Sequence, residues 1–383
     1  MNFSKNVIQQ KEAIFQTYKE LHDLAEPSWH EKKTSKYVAQ FLSQSGLEVQ
    51  TFNDHYGLTA EIAGQTKQII AIRADMDALL QEVDGVERAN HSCGHDAHST
   101  MVLYAAKMLA SSKTPPLHTI RFIFQPAEET AKGALQMIKD GALDDVSLLF
   151  GIHLRPHTEV PGGKAAPAIL HGSALTIEGQ IKGVQAHAAR PHEGKNPIES
   201  VSLLLQLLKN IRLTSEAAFS VQMTQVKAGA SSSNVSPETA SFTLDLRAPA
   251  NELMDELKSQ VTAVMKHVSE LNDTPIVWKE SGFSPAAQPD DYAVTLVEKA
   301  IVDVLGPEAL TKPCVSVGAE DFHFYTWTFS HIKATMLGLG CDLKPGLHHP
   351  HMTFQKEALI SGTQILLHAL SQAAYTLEKE VKK

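Results

Sequence analysis

The stretch NHSCGHDAHST, residues 90–100, brings a thiol together with several groups that bind metals or protons. Cys93 and His95 are two residues apart, and in an extended segment side chains at this spacing point the same way, with Cα atoms roughly 6–7 Å apart. A thiolate and an imidazole so placed can converge on one metal ion. A surface loop with histidines at chance positions is the alternative, so the prediction of a site depends on partners elsewhere in the chain.

Two carboxylates follow an apolar segment of strand character, IRFIFQPAEET, as Glu128 and Glu129. Neighbouring residues of an extended chain face opposite sides, so one carboxylate can bind a metal while the other reaches a water bound to it. Pro126 cannot donate to a neighbouring strand and therefore ends the ladder. An acidic helix N-terminus is the alternative interpretation, because both glutamates precede a helical pattern and would favour its dipole.

Histidines also follow strand-like segments. His153 ends the apolar run LLFGIHL, and His348, His349 and His351 lie in the loop KPGLHHPHMTF before the last predicted helix. A histidine that ends an apolar run is more often a satisfied core group than a ligand. In open α/β sheets, however, sites form beyond the carboxyl ends of strands. A cysteine, histidines and carboxylates from several strand ends together form a ligand set suited to zinc.

Asp75 is the last residue of the strand-like run QIIAIRAD, and Asp77 lies in the segment MDAL that follows it. A carboxylate that accepts the second N–H of a ligand imidazole holds its tautomer and raises its basicity, and either aspartate could do so. A capped turn is the alternative. His91 and His98 are expected to have local structural roles.

Composition narrows the class of protein. The 383 residues have a net charge of −9 and no Lys/Arg-rich run, which argues against a nucleic-acid or anionic-membrane binder. Apolar runs stay well below 18 residues, so no membrane span is expected. The three cysteines are a sparse, odd set that suits a reducing compartment. We therefore expect a cytoplasmic protein with a small-molecule partner.

Apolar periodicity predicts helices and strands that alternate along the first part of the chain, as in an α/β layer architecture with a mostly parallel sheet. The predicted helices span residues 8–24, 31–45, 96–111 and about 131–140, and the predicted strands span residues 47–52, 57–63, 68–75, 118–124 and 147–154.

The pattern changes after the Gly/Pro/Ala-rich stretch EVPGGKAAPA. Alternating strands and two helices, at about 197–212 and 251–270, follow in the order strand-helix-strand-strand-helix-strand, which is typical of a ferredoxin-like α+β sandwich. A second loop, SGFSPAAQPDD, precedes a return to helix-strand-helix. The sequence thus predicts one domain inserted into another. The predicted bounds are 1–167 and 282–383 for the first domain and 168–281 for the insertion.

Several segments in this order resemble the metal-dependent N-acyl-amino-acid amidohydrolases, a family that includes aminoacylase-like enzymes, hippurate hydrolase, indole-acetyl-amino-acid hydrolases and N-acetyldiaminopimelate deacetylase. The segments are RADMDAL, HSCGHDAH, IFQPAEE, FGIHL, GVQAHAARPH, SSSNVSP, AEDFHFY and LHHP, and the resemblance covers residues 15–375. It implies an enzyme that cleaves the amide bond of N-acyl amino acids, with an inserted domain that acts as a lid and dimerisation surface.

The resemblance also implies two divalent ions per subunit, Zn, Mn, Co or Ni, bridged by Cys93. The remaining implied ligands are His95, Glu129, His153 and His348. Glu128 would be the general base. Related members carry a metal-binding His-x-Asp where this chain has DMD, so His95 would take over the duty of the missing histidine. Asp75 or Asp77 would be the supporting acid, with a slight preference for Asp75.

Three residues of the inserted domain, His187, Asn234 and Arg247, lie in the family's motifs and would contact the scissile carbonyl or the substrate carboxylate, across the interface of a homodimer. A surface arginine at a strand edge is the alternative for Arg247. The chain departs from the family at Leu80, where a proline is usual, and in the short segment between Leu80 and the cysteine cluster. Since that segment shapes the acyl pocket, the acyl group is not carried over.

Other functions compete with this prediction. A small dipeptidase or an N-carbamoyl-amino-acid hydrolase would use the same metal pair and base with a different pocket. A metal-binding protein without turnover belongs to another class, and Glu128 argues against it, because a binder needs no second carboxylate beside a ligand. A nucleophilic role for Cys93 is a further alternative, which alkylation blocked by bound metal would contradict.

Overall fold

The computed structural model describes residues 3–229 and 231–375 of the chain. The contacts divide it into two units. The larger unit comprises Met1–Leu170, Gln288–Ser316 and Glu320–Lys383, and the smaller unit comprises His171–Ala287 with Val317–Ala319. The sequence-based boundaries, at residues 167 and 281, lie close to residues 170 and 287, where the units divide.

The strands are β1 (Glu48–Thr51), β2 (Leu58–Ile62), β3 (Thr66–Asp75), β4 (Leu79–Val83), β5 (Val86–Asn90), β6 (His118–Gln125), β7 (Val146–Pro156), β8 (Ala165–Ala166), β9 (Ile169–His171), β10 (Ser173–Lys182), β11 (Ser220–Ala228), β12 (Thr239–Ala248), β13 (Ile276–Ser284), β14 (Cys314–Ser316) and β15 (Lys333–Leu343). The α-helices are α1 (Phe3–Gln9), α2 (Lys11–Leu24), α3 (Lys32–Gln44), α4 (His95–Ala110), α5 (Gly133–Lys139), α6 (Pro197–Leu208), α7 (Asn251–Leu271), α8 (Asp291–Leu305), α9 (His323–Thr328) and α10 (Ala358–Tyr375). Short 3₁₀ helices cover Glu128–Thr130, Pro191–Glu193 and Pro307–Ala309.

A seven-stranded sheet forms the centre of the larger unit, in the order β1-β2-β6-β3-β7-β15-β8. The four middle strands, β6, β3, β7 and β15, run parallel, whereas the outer pairings are antiparallel. The middle strands are buried along most of their length, which agrees with their continuous apolar runs. Helices α4, α8 and α10 contribute to the same core. The predicted fold class is confirmed, with the parallel part limited to the middle strands.

The smaller unit is a four-stranded antiparallel sheet in the order β11-β12-β10-β13, with α6 and α7 packed on it. Burial alternates along β12, because one face of the sheet contacts the helices while the other is exposed. Leu244 on the strand and Leu257 on α7 belong to the core between them. The predicted order of strands and helices is therefore found here.

Three local features differ from the sequence-based expectation. The helix predicted over 8–24 is divided into α1 and α2 at Gln10. The helix predicted at about 131–140 is α5 alone, after a separate 3₁₀ turn. The hairpin β4–β5 was not predicted, although its Asp84-Gly85 turn has positive φ at both residues and Asp-Gly is a favoured hairpin turn. Among the described residues, every helix is too short or too polar to cross a membrane.

The backbone that carries the two glutamates is closely packed at Gly133. A Cβ atom at this position would lie 1.7 Å from the Pro126 carbonyl oxygen. The Gly133 N–H also donates to the Ala127 carbonyl at 3.2 Å. Ala127 itself has φ +54, so this bend tolerates little displacement.

We therefore expect Gly133→Ala to lower the free energy of unfolding of the larger unit by roughly 1–3 kcal/mol, as overpacking against an immobile backbone atom does. Urea denaturation followed by circular dichroism would measure the change. Gly346→Ala is the matched control, because nothing lies within 4 Å of a Cβ at that position. Equal stability of the two variants would contradict the expectation.

Candidate active site

Chemically active residues meet at one edge of the larger sheet. Asp75 ends β3, Glu128 follows β6, and His153 lies near the end of β7. Because these strands are parallel neighbours, their carboxyl ends meet at the same edge. His95 begins α4 immediately after Gly94, whose φ of +91 suits glycine at the turn that directs the helix away from the site.

Cys93 is shared between two groups of side chains that can hold a cation. Its sulfur lies with ligand atoms of His95 and His153, all within 4.8 Å of one another, and with those of Glu129 and His348 in a second group of the same size. The Cys93 Sγ to His153 Nε2 distance is 3.6 Å. All five residues that the sequence predicts as metal ligands are thus brought together, with Cys93 between two sets.

The hydrogen bonds of the two buried imidazoles determine which nitrogen faces the site. His95 donates its Nδ1 proton to the Asp77 backbone carbonyl at 2.9 Å, and His153 donates its Nδ1 proton to the Leu154 carbonyl at 2.7 Å. In the neutral form of each ring, the lone pair is therefore on Nε2. The Nε2 atom of His95 is buried without a hydrogen-bond partner, as expected of an atom that coordinates a metal.

His348 is held in an unusual backbone conformation. Its φ is +64, and its N–H donates to the Ser92 carbonyl at 2.8 Å. Its Nε2 lies 3.4 Å from Oε1 of Glu129, another buried atom without a hydrogen-bond partner. The ring of His349 instead accepts the His351 N–H at 3.1 Å. Of the two adjacent histidines, His348 is the one beside Glu129.

The Asp77 carboxylate organises the site. Its Oδ1 accepts the Glu128 N–H and its Oδ2 accepts the Glu129 N–H, both at 3.1 Å. Oδ2 also accepts the Ser28 hydroxyl at 2.6 Å, and Oδ1 lies 3.2 Å from Nδ1 of His95. One buried carboxylate thus positions both glutamates and a candidate ligand.

Asp75 has different partners. Its Oδ2 accepts from Arg73 at 2.6 Å, and its Oδ1 accepts from Nδ1 of His98 at 2.8 Å. Nε2 of His98 accepts the Leu154 N–H at 2.9 Å, so both nitrogens of this ring are used within the protein. It is the Asp77 carboxylate, at 3.2 Å, that faces the Nδ1–H of the candidate ligand His95. The contacts therefore favour Asp77 as the supporting acid, against the slight sequence-based preference for Asp75.

A buried ionic network behind the site was not assigned from the sequence. Arg73 is completely buried and lies 2.9 Å from Asp321 and 3.1 Å from Glu320, in addition to Asp75. Its Nε donates to Gln125 at 2.8 Å. The available signal was an arginine within the apolar run IIAIRAD, because a buried guanidinium requires buried carboxylate partners.

Burial opposes negative charge in this site. It is the largest cause that raises the pKa of Cys93 and of Glu128 well above their usual values, and nearby carboxylates contribute to both shifts. Burial, followed by the nearby carboxylates of Asp77 and Asp75, raises the pKa of Glu129 to about 7. A thiol and two carboxyl groups that resist ionisation together are stabilised as anions by divalent cations. The donor set therefore fits a metal site.

Two of the predicted substrate-binding residues lie together in the smaller unit. The Ala188 N–H donates to the Asn234 carbonyl at 2.8 Å, and His187 forms a bridge with Val235. Both His187 and Asn234 are exposed. These pairings hold the two loops side by side.

Arg247 lies apart from this pair within the smaller unit. It is opposite Ala174 on β10, whereas the loops of His187 and Asn234 leave the sheet beyond the pair Lys182 and Thr239. The pair Ala174 and Arg247 is eight residues along the strand from the pair Lys182 and Thr239, a distance of about 25 Å. Arg247 forms a two-pronged ion pair with Asp245, at 2.8 and 2.9 Å.

Comparison with known proteins identifies relatives along most of the chain. The model of Peptidase family M20/M25/M40 matches residues 71–372. An N-acetyl-L-cysteine deacetylase of Bacillus subtilis is 30% identical over 90% of this chain and 84% of its own length. An IAA-amino acid hydrolase of Arabidopsis thaliana is 31% identical, over 95% of this chain and 85% of its own. The predicted resemblance is confirmed.

A longer protein of Rhodococcus jostii, named as a glutamate–cysteine ligase, is 30% identical over 96% of this chain, which spans 47% of that protein. Among solved structures, a Bacillus subtilis protein described as a dinuclear metal binding peptidase of family M20 has a TM-score of 0.82 and 27% identity. This match covers 96% of this chain and 99% of the other.

We expect Asp77→Asn to weaken metal binding by about 10–100-fold, because an amide cannot accept from all of the donors that face it. Dialysis against graded chelator concentrations, followed by metal analysis, would measure the loss. Ser28→Ala is the matched control, since it removes one donor and leaves the carboxylate with the others. Wild-type metal retention by Asp77→Asn would contradict the role given to this contact.

Proposed function

Because the chain belongs to peptidase family M20/M25/M40, it is a metal-dependent hydrolase of amide bonds, and we propose that it removes the acyl group from N-acyl amino acids. The names of its relatives support this substrate class. The observation that carries the proposal is the position of Cys93 in two ligand groups with Glu128 alongside.

We assign the two metal positions to the two groups of ligands. Cys93, His95 and His153 would hold one ion, and Cys93, Glu129 and His348 would hold the other. Zinc suits the sulfur and nitrogen ligands, while manganese, cobalt and nickel suit the nitrogen and oxygen ligands. Two divalent ions at these positions would supply Lewis acidity, which would polarise the amide carbonyl and make water more acidic.

Glu128 is the proposed general base. Its Oε2 lies 3.8 Å from Nε2 of His95, at the side of the ligand cluster. A carboxylate there would take the proton of the attacking water and donate it to the amide nitrogen as the carbon–nitrogen bond breaks, so that the product leaves as a neutral amine.

Residues of the smaller unit are proposed to bind the substrate. His187 would stabilise the negative charge that develops on the carbonyl oxygen, with Asn234 next to it. Arg247 would bind the carboxylate of the amino acid in a bidentate manner. The substrate carboxylate would then replace or share the bond that Arg247 makes with Asp245.

We propose that the active enzyme is a homodimer. About 25 Å of strand separates Arg247 from the end of the sheet at which the His187 loop begins, which supports a site whose two residues come from different copies of the chain. A second copy of the chain can supply the missing group, as a two-fold interface does in symmetric dimers. We also propose a cytoplasmic location, because its reducing conditions preserve the free thiol of Cys93.

Substitution of the two adjacent glutamates should separate catalysis from metal binding. We expect Glu128→Gln to keep its metal content and to release amine at least about 100-fold more slowly, since a proton acceptor contributes 10²–10⁴-fold. Glu129→Gln is expected to lose metal as well as activity, because it removes a ligand. Amine release and metal content of the purified variants are the measurements.

Suitable substrates are N-acetyl, N-benzoyl, N-indoleacetyl and N-carbamoyl amino acids together with dipeptides, each tested with zinc, manganese, cobalt or nickel. Release from dipeptides or N-carbamoyl amino acids alone would replace the proposed substrate class. Undiminished turnover by Glu128→Gln would exclude it as the base, and no turnover of any substrate by the metal-loaded wild type would favour a binding role.

A mixture of two defective variants tests the shared site. His187→Ala and Arg247→Ala should each be poorly active alone. Their co-expressed mixture should recover roughly a quarter of wild-type activity, because half of randomly formed dimers are mixed and each mixed dimer has one intact site. No recovery, or a monomer in analytical ultracentrifugation, would contradict the proposal.

A further inference from the structure

The β4–β5 hairpin is bonded to the loop that carries His348. Nε2 of Gln81 donates to the His348 carbonyl at 3.2 Å. Nδ2 of Asn90 donates to the Pro350 carbonyl at 3.0 Å and to Oε1 of Gln81 at 2.7 Å. The two amide side chains thus form a chain of hydrogen bonds from the base of the hairpin to the backbone on both sides of His349.

The orientation of His348 depends on hydrogen bonds to its backbone more than the orientations of His95 and His153 do. Its side chain is 53% exposed, whereas those of His95 and His153 are buried and held by backbone carbonyls. Its φ of +64 lies in the left-handed region, which a residue with a Cβ occupies when its surroundings impose it. The Ser92 carbonyl holds its N–H and Gln81 holds its C=O, so the backbone is constrained on both sides.

The same hairpin connects this loop to Cys93. Asn90 ends β5 three residues before Cys93. At the tip, Asp84 lies 3.3 Å from His351. The loop is closed at its base by reciprocal backbone bonds between Lys344 and Thr353, at 2.9 and 2.8 Å. The hairpin therefore links the two segments that would hold one metal ion between them.

We propose that Gln81 and Asn90 are positioning residues that hold His348 towards Cys93 and Glu129, and thereby set the affinity of that metal position. This inference rests on the two-metal function proposed above. In the position formed by Cys93, His95 and His153, the two imidazoles are oriented by the carbonyls of Asp77 and Leu154, which lie outside the hairpin. The two positions should therefore respond differently when the hairpin contacts are removed.

Three variants test this proposal. Asn90→Asp keeps the size of the side chain and removes both donated bonds. Gln81→Met keeps its length and removes the donor to His348, and it provides a second variant if the first folds poorly. Glu87→Gln is the matched control, because Glu87 is exposed and lies on the other face of the hairpin. Gln81 pairs with Arg88, and the neighbouring Glu87 therefore points away from the face that carries Gln81.

Hydrogen–deuterium exchange of metal-free protein measures the restraint directly. We expect faster exchange in residues 344–353 for Asn90→Asp and Gln81→Met than for the wild type, with the control unchanged. The rest of the larger unit should exchange as in the wild type, which excludes general unfolding. Unchanged exchange of this loop in both test variants would overturn the proposal, whatever the metal content.

Cobalt titration, followed by calorimetry and by the thiolate absorption of Cys93, measures the consequence. We expect both test variants to bind the first ion within about twofold of wild type and the second at least about tenfold more weakly, as loss of an outer-shell partner does. Excess cobalt should then restore amine release. Two ions bound with wild-type affinity would refute the link to metal binding. A wild-type protein that binds one ion would refute the two-metal function, and the exchange result would still decide whether the hairpin restrains the loop.

Discussion

The structure of the site depends on the buried carboxylate of Asp77. Its donors come from three separate segments, namely the backbone after β6, the start of α4 and the loop before α3. Burial alone would raise the pKa of Asp77, but the bonds from His95, Ser28 and Glu129 outweigh it and lower the pKa. Each bond to a charged acceptor contributes about 1.5–3 kcal/mol. One anion thus holds together segments that are up to 101 positions apart (Ser28 and Glu129).

Charge is the second constraint on the site. Carboxyl groups gather at this edge of the sheet, at Asp75, Asp77, Glu128, Glu129, Glu320 and Asp321. Arg73 is bonded to three of them, Asp75, Glu320 and Asp321, and is itself fully buried. The pKa of Asp321 is nevertheless raised to about 7, with burial as the largest cause. Divalent cations would stabilise these acids as anions, so the proposed pair of ions suits a site with this concentration of carboxyl groups.

Sequence patterns predicted the parts of the site that follow strand ends. The apolar runs before Asp75, Glu128 and His153 marked β3, β6 and β7, and parallel pairing brings their carboxyl ends together. The left-handed backbone of Ala127 has no local signal, and the run IIAIRAD indicates a buried Arg73 without indicating its partner Asp321, 248 residues away. They follow from packing around the site, where a bend that local preference disfavours is imposed by neighbouring contacts. The preference for Asp77 over Asp75 as the proposed supporting acid likewise rests on hydrogen bonds that the sequence alone does not reveal.

The position of His348 follows from the pairing of β15 with β7, two strands that lie on either side of the inserted unit in the sequence. β15 is parallel to β7 with Gly338 opposite His153, so the loop after β15 leaves the sheet at the edge where Cys93 lies. These two paired residues are 185 positions apart (338 and 153), and closing so long a connection has an entropic cost that grows slowly with length. An ion held by Cys93 and His348 would oppose separation of the first and last parts of the larger unit. Because a ligand that binds the folded state alone stabilises it, metal binding and the assembly of β15 onto β7 should be coupled.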